Sequence, residues 1–554
     1  MAASRYSGLT GVVLTLVMGG IACATPVRDA PTAPVAAPAT PEPSAPQPQP
    51  GGTLVFTVAR SDGSLHPFRG NSSDIRRHVG LTYETLVSFD YQPDRDWRID
   101  YKIVPWLVES WEQPDDKTYV LRLRRGVKWH DGQEFTVADV TGTFQWITDE
   151  KFAPLTTIRK IAALDSPDAY SLKITLREPS LTFLSELADQ NFFIVAKAAI
   201  DAKLDLIKNP MSTGPYKLDQ FEANKEGVWT KNTGYWQPGK PYPDRVRQFF
   251  NLDDAASLAA FVAGKSDLLA ATDKAQLDIV LKLKPDAKYK FQIGDSTVHL
   301  LPRVDRPPFD DLRVRKALHL AVDRQALIKT VALGEGSIDP PLMPGWRTGW
   351  AIPQEELLRL PGYRQPKDED IAEARRLLAD AGYPGGVKFK LLYNAQGVVP
   401  ARVAVGVQPA LKAAGLDVEL EPLETAVANR RQDQGEFDVT AINTASGGDY
   451  GRVDQWYAST GAQNSAGIHD PVLDERINRL NAAPTSAERK RLGLELQRYM
   501  LEQLWSVPTI VISAAGLWQP WVKDYVMTNA QVVRPVQPTV SRWWLDQSIM
   551  PKDR

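Results

Sequence analysis

Apolar and polar side chains alternate between residues 118 and 124. Tyr119, Leu121 and Leu123 fall on one face of an extended segment, and Val120, Arg122 and Arg124 fall on the other, the two-residue period of a half-buried strand. Trp111-Glu112 and the turn residues Pro114-Asp115-Asp116-Lys117 precede it, so the stretch reads as strand, turn, strand. Residues 53–58, rich in β-branched side chains, read as the first strand of the globular part. Elsewhere the period lengthens to that of a helix. Thr136 is placed to cap a helix over 137–148. A longer helix is predicted over 311–333, where Val314, Ala317, Leu318, Ala321 and Ile328 recur at helical spacing and Gly334 supplies the stop. A third is predicted over 368–381, with Ala372, Leu377 and Leu378 on its buried side and Gly382 and Pro384 beyond its end. Residues 389–393, 403–413 and 418–420 then read as a β-α-β unit, and 437–442 as a further strand. Strands and helices mixed in this way predict α/β lobes.

Size and composition add to this picture. The chain has 554 residues, and one hydrophobic core stops growing at about 250–300, so at least two cores are expected. The formal net charge is −2; no strong basic field invites nucleic acid or an anionic membrane surface. The start reads as an export signal over residues 1–24: Arg5, an uncharged apolar run from Leu9 to Met18, then Gly19, Gly20, Ala22 and Cys23. The run is too short for a membrane span. Cys23 is the single cysteine, which rules out an internal disulfide. Gly20-Ile21-Ala22-Cys23 resembles a lipobox, with Gly20 where Leu is usual, and marks Cys23 for lipid attachment. The alternative is Ala22-Cys23-Ala24 as an A-x-A site with cleavage before Thr25. Residues 25–50 form a Pro/Ala-rich linker. In polyproline II geometry it reaches roughly 80 Å, a length suited to holding a globular body away from a lipid.

No H-E-x-x-H, C-x-x-C, G-x-S-x-G, Walker A or G-x-G-x-x-G pattern occurs. The six histidines (His66, His78, His130, His299, His319 and His469) do not lie at ligand spacing from one another, so no metal site and no cofactor is expected. Asp90, Asp94, Asp96 and Asp100 lack the Gly and closing Glu of a calcium loop and read as a solvated loop. Ser446-Gly447-Gly448-Asp449-Tyr450-Gly451-Arg452 follows a predicted strand, where glycines let backbone approach a ligand and where α/β folds bind ligands. Ser446, Asp449, Tyr450 and Arg452 are therefore candidate ligand-binding residues, Asp449 and Arg452 offering opposite charges to a zwitterion. A polar turn with a surface ion pair is the alternative reading of the same residues.

Four segments carry a family resemblance. They are Leu121 to Gly132 continuing through Phe135-Thr136-Val137-Ala138-Asp139-Val140, then Ser212-Thr213-Gly214-Pro215-Tyr216, then Val314-Arg315-Lys316-Ala317-Leu318 with Ala321-Val322-Asp323-Arg324, and Ala374 to Pro384. In this order the chain resembles the peptide/opine/nickel-type (family 5) solute-binding proteins of ABC importers, over nearly all of residues 51–550. The motifs look structural and do not specify a cargo.

The resemblance implies a two-lobed periplasmic binding protein, a clamshell of α/β lobes. The first lobe would comprise 51–297 and 514–554, with an inserted subdomain at about 85–209, and the second would comprise 298–513. It further implies a monomer without enzymatic activity. Such a protein hands a small, peptide-like ligand to an ABC permease with its ATPase, in the periplasm or on the outer face of the cytoplasmic membrane, anchored by lipid alone. Peptide binders of this family place the Asp of a G-W-x-x-D segment against the ligand's α-amino group. Ala445 to Asp449 matches that segment with Ala445 for Gly and Ser446 for Trp, so Asp449 would keep its role without the stacking wall. Leu65-His66-Pro67 is similar to the family's L-D-P near the cleft, and His66 with Arg452 would suit an anionic group. A surface lipoprotein receptor or holdase on the same fold, and a secreted hydrolase, are the competing expectations.

Overall fold

The computed structural model describes residues 47–58, 65–69, 78–92, 102–152, 154–189, 192–250, 252–271, 273–293, 297–342, 350–444, 453–528 and 539–552. The architecture is that of Pro48–Arg554, which form one compact unit.

Taken in chain order, β1 (Thr53–Val58) opens the first sheet. β2 (Val108–Asp115), β3 (Thr118–Leu123), β4 (Ile161–Asp168) and β5 (Ser171–Leu176) form a separate antiparallel sheet in the order β2-β3-β5-β4, with α1 (Val137–Glu150) between β3 and β4. The alternation in β3 behaves as expected: Tyr119, Leu121 and Leu123 are buried in one core with Phe135, Val140 and Phe144. The chain returns to the first sheet with β6 (Tyr216–Glu222), β7 (Glu226–Lys231) and β8 (Arg245–Phe250). Then follow α2 (Asp254–Val262), β9 (Leu268–Ala271), α3 (Lys274–Leu283) and β10 (Lys288–Ile293). β11 (Thr297–Pro302) begins a second sheet. It is followed by α4 (Leu312–Ala321), α5 (Arg324–Thr330), β12 (Gly336–Ile338), α6 (Asp368–Asp380), β13 (Val387–Asn394), α7 (Val398–Ala413), β14 (Leu416–Leu423) and β15 (Val439–Thr444). After α8 (Pro471–Asn481) and α9 (Ser486–Gln503), β16 (Val507–Pro508) joins the second sheet and β17 (Ile510–Trp518) re-enters the first.

The first sheet runs β10-β17-β9-β1-β8-β7-β6, with β12 paired to the start of β17; the second runs β14-β13-β15-β11-β16. Separate apolar cores lie on them, around Phe56, Trp229 and Trp543 in one case and Leu300, Leu318 and Leu391 in the other. The chain passes between the sheets from β10 to β11 and again from β16 to β17.

Two expectations need correction. The single helix over 311–333 is two helices. Val322 leaves helical geometry, at φ −69° and ψ 113°. Asp323 then caps a new helix, its carboxylate accepting the Ala326 N–H at 3.0 Å. Both halves keep the apolar spacing, so periodicity alone did not reveal the break. In α6, Ala372 is exposed, and the buried face is Asp370, Ala374 and Leu378, positions one helical turn apart; Ala372 lies about 200° around from Ala374. Smaller differences are of length: α7 begins at Val398 and holds Pro409 within it, and the strand expected over 437–442 is Val439–Thr444. Of the acidic cluster, Asp94, Asp96 and Asp100 lie outside the described residues.

The recurrent motifs are joints of this fold. Thr136 caps α1 in a capping box, its N–H donating to the Asp139 carboxylate at 2.9 Å. The other Asp139 oxygen accepts the Lys197 N–H at 2.8 Å. A β-carbon on Gly214 would lie 1.9 Å from the Thr82 carbonyl oxygen, a distance that admits glycine alone. Beside it the fully buried Glu84 accepts from Thr213 Oγ1 at 2.7 Å, Trp106 Nε1 at 2.8 Å and Tyr235 OH at 2.8 Å. Burial pushes this carboxyl up, and the donors oppose the shift. Arg315 donates to the carbonyls of Phe309, Asp310 and Gln503. Arg324 donates to the carbonyls of Pro508 and Gly362 at 2.9 and 2.6 Å, with Tyr363 under its plane at 4.1 Å. These buried guanidiniums satisfy carbonyls that no ladder serves. Arg324 thereby pins the strand that leads back to the first sheet.

Candidate functional site

Each sheet contains a parallel trio whose carboxyl ends lie at one edge. β8 and β9 run parallel to β1, with Val58 opposite Phe250 and Phe56 opposite Leu268. In the second sheet β14 and β15 run parallel to β13, with Asn394 opposite Leu423 and Tyr393 opposite Ala441. Open α/β sheets bind ligands beyond such carboxyl ends. The two edges face each other: Asp273, just past β9, pairs through Oδ2 with Arg402 Nη1 on α7, the helix after β13, at 2.8 Å. The space between the edges is the candidate site.

The segment containing Ser446, Asp449, Tyr450 and Arg452 lies outside the described residues, as does Cys23. Its point of departure is defined. β15 ends at Thr444, which stands opposite Thr297 at the start of β11, where the chain crosses from the first sheet to the second. His66 is described and belongs to the first-sheet side. Its Nδ1 accepts the N–H groups of Phe68 and Arg69 at 3.1 and 3.0 Å. Its ring packs 5.4 Å from Trp146 and 5.6 Å from Phe152. Burial and then the Arg69 charge lower it to about 4, so it is neutral at pH 7 and has an acceptor, not a charge, on Nδ1. Nothing described brings it together with the 446–452 segment.

Groups that sequence reading did not find gather at the crossovers. Thr509 Oγ1 donates to the Val298 carbonyl at 2.6 Å. His299 Nδ1 lies 3.1 Å from Ser506 Oγ, and burial and then the Arg324 charge lower it to about 3. Asp339 follows β12, which pairs with β17 from Gly336↔Ile512 to Ile338↔Ile510. It is fully buried, and neither carboxyl oxygen has a hydrogen-bond partner among the described residues. Burial pushes it up to about 8, and the Arg324 charge opposes the shift. Asp273 carried one legible sign, its position as N-cap ahead of Gln276, whose N–H it accepts at 2.9 Å. Arg402 carried none, because its partner is 129 residues away.

Among the described residues no group of three or more His, Cys, Asp or Glu is placed to hold a metal, and no helix is long and apolar enough to cross a membrane. A cleft between two sheet edges suits reversible capture of a small polar molecule.

Comparison with known proteins is consistent with this geometry. The family model for bacterial extracellular solute-binding proteins, family 5 Middle, matches residues 102–466. A di/tripeptide-binding protein 1 from Pseudomonas aeruginosa is 27% identical over 511 residues, covering 85% of this chain and 90% of its own. The periplasmic murein peptide-binding protein MppA from Escherichia coli is 27% identical over 465 residues, covering 78% and 84%. Among solved structures, the ABC transporter-associated periplasmic binding protein DppA from Helicobacter pylori, in complex with the peptide STSA, superposes with a TM-score of 0.75 at 22% identity. That match covers 90% of this chain and 99% of that one.

Proposed function

This chain belongs to the bacterial extracellular solute-binding proteins of family 5, and from that premise we propose that it captures a small peptide-like ligand between its two lobes and delivers it to an ABC permease. The observation that carries the reading is the pair of facing carboxyl edges, each ending a parallel trio and joined by two crossovers. Closure then works as a population shift: the ligand stabilises the closed form by its difference in affinity for the two forms. The lobes are assigned as 51–297 with 514–554, and 298–513, with residues 85–209 inserted in the first. The protein acts outside the cytoplasm as a monomer, tethered by lipid on Cys23 through the 25–50 linker.

Within the cleft, Asp449 pairs the ligand's ammonium group, and Ser446, Tyr450 and Arg452 complete the loop that faces it. A carboxylate paired with an ammonium out of bulk water forms a charge-assisted hydrogen bond. The role is binding without turnover; none of the nucleophile or acid–base patterns sought in the sequence supports a hydrolase. Titration calorimetry with a panel of di- and tripeptides tests this. The expected result is saturable binding of one peptide per chain, with the peptide recovered intact. Recovery of cleaved peptide, or no binding by any member, contradicts the proposal.

A further inference from the structure

The ion pair between Asp273 and Arg402 does more than mark the facing edges. Asp273 is held by its own lobe: one carboxyl oxygen caps α3 through the Gln276 N–H at 2.9 Å. The cap fixes the second oxygen in position whether or not the other lobe is near. Arg402 reaches that second oxygen from α7 at 2.8 Å, and α7 packs against β13, β14 and β15 of the second sheet. Neither helix needs the other lobe to form. The bond therefore exists only while the two edges stand together, and its cost in ordering falls on Arg402 alone, because the carboxylate is pre-placed.

We propose that Asp273 and Arg402 form a clasp across the cleft that holds a fraction of the unliganded protein closed. The clasp rests on the two-lobed solute-binding reading above. Arg402 keeps 43% of its side chain in solvent, so salt screens the pair and its effect is small: roughly two- to fivefold in the ratio of closed to open forms. A protein already partly closed exposes less of its cleft to weak ligands, and a ligand spends correspondingly less of its affinity on closure.

Two substitutions separate the clasp from the fold. Asp273→Asn keeps the helix cap, since Asn caps as well as Asp, and removes the charge; Arg402→Gln removes the partner. The full chain carries Cys23→Ser, with spin labels on cysteines at the exposed positions Ile279 on α3 and Val472 on α8. A bare mass by native mass spectrometry establishes that it is unliganded. Pulsed electron spin resonance then reads the inter-lobe distance. Each single variant should move population from the short to the long distance by roughly two- to fivefold, and the double variant should move it no further than either single. Raising sodium chloride to about 1 M, where the Debye length falls to about 3 Å, should do the same to the parent and nothing to the variants. Superimposable distributions in all four proteins, or a double variant whose effect is the sum of two independent ones, overturn the clasp. A chain that binds no peptide yet shows the shift loses the solute-binding reading and keeps the clasp. A chain that binds peptide with four identical distributions loses the clasp alone.

Discussion

Asp339 is a carboxyl group with its charge at stake. In the fold, burial raises it from its ordinary 3.8 to about 8; in the unfolded chain it ionises near 4. Folding therefore retains a proton on Asp339 between those values, and the stability this lends is fully present below about 4 and lost as pH rises towards 8. The buried histidines act in the opposite sense. His66, His130 and His299 are lowered by burial to about 4, 4 and 3, so their contribution is present above 6.5 and lost as pH falls. The window from 6.5 to 8 is where Asp339 stands apart from them. Stability measured by urea unfolding should fall across it for the parent, and Asp339→Asn, which cannot ionise, should lack that part of the slope. Equal slopes would mean that the Asp339 carboxyl holds no proton in the fold across this window. If Asp449 pairs the ligand's ammonium group as proposed, Asp449→Ala should weaken peptide binding at least tenfold, about 1.4 kcal/mol. Unchanged affinity would remove Asp449 from the site.

At the scale of elements, α4 and α5 show how a side chain overrides periodicity. A residue favoured at the start of a helix can restart one inside an apolar pattern that continues across the break. Asp323→Ala should cost about 1 kcal/mol, read as a lower urea midpoint at unchanged slope; no change would mean that α5 is held by packing alone. The same logic explains what was legible in the sequence. β3 was visible by its two-residue period and the turn before it, β1 by its β-branched side chains, α1 by its cap, and α6 by its helical spacing and the stop at Gly382, although Ala372, assigned to its buried side, is exposed. The antiparallel four-stranded sheet was visible only as its first hairpin, since strand order is set by contacts between distant segments. Family motifs carried the fold because they are its joints: Gly214 against Thr82 and Arg324 on Pro508 admit few alternatives. The cleft was less legible. Asp273, Arg402 and Asp339 owe their significance to neighbours far along the chain, and a lone Arg or Asp in a polar stretch has no local signature. The 446–452 loop was chosen for its glycines and charges, and the structure defines the strand end from which it departs.

At the scale of the whole molecule, two sheets joined by two crossovers can change their relative angle with small backbone adjustments near Thr297 and Thr509, while each core stays packed. Beside those passages the carbonyls of Val298 and Pro508 accept from Thr509 Oγ1 and Arg324 Nε. Attachment belongs to this scale as well. If lipid on Cys23 tethers the body through the Pro/Ala-rich linker, Cys23→Ala should release the protein from membranes, whereas an unchanged soluble fraction would favour cleavage before Thr25. The central claim, that the lobes hold a small ligand without transforming it, is tested most directly by native mass spectrometry of the full chain purified without refolding, with identification of whatever it releases. The account predicts one discrete added mass per chain that is freed intact and is peptide-like. A chain that carries no small molecule and takes up none from the peptide panel, or one that releases a cleaved product, would contradict it.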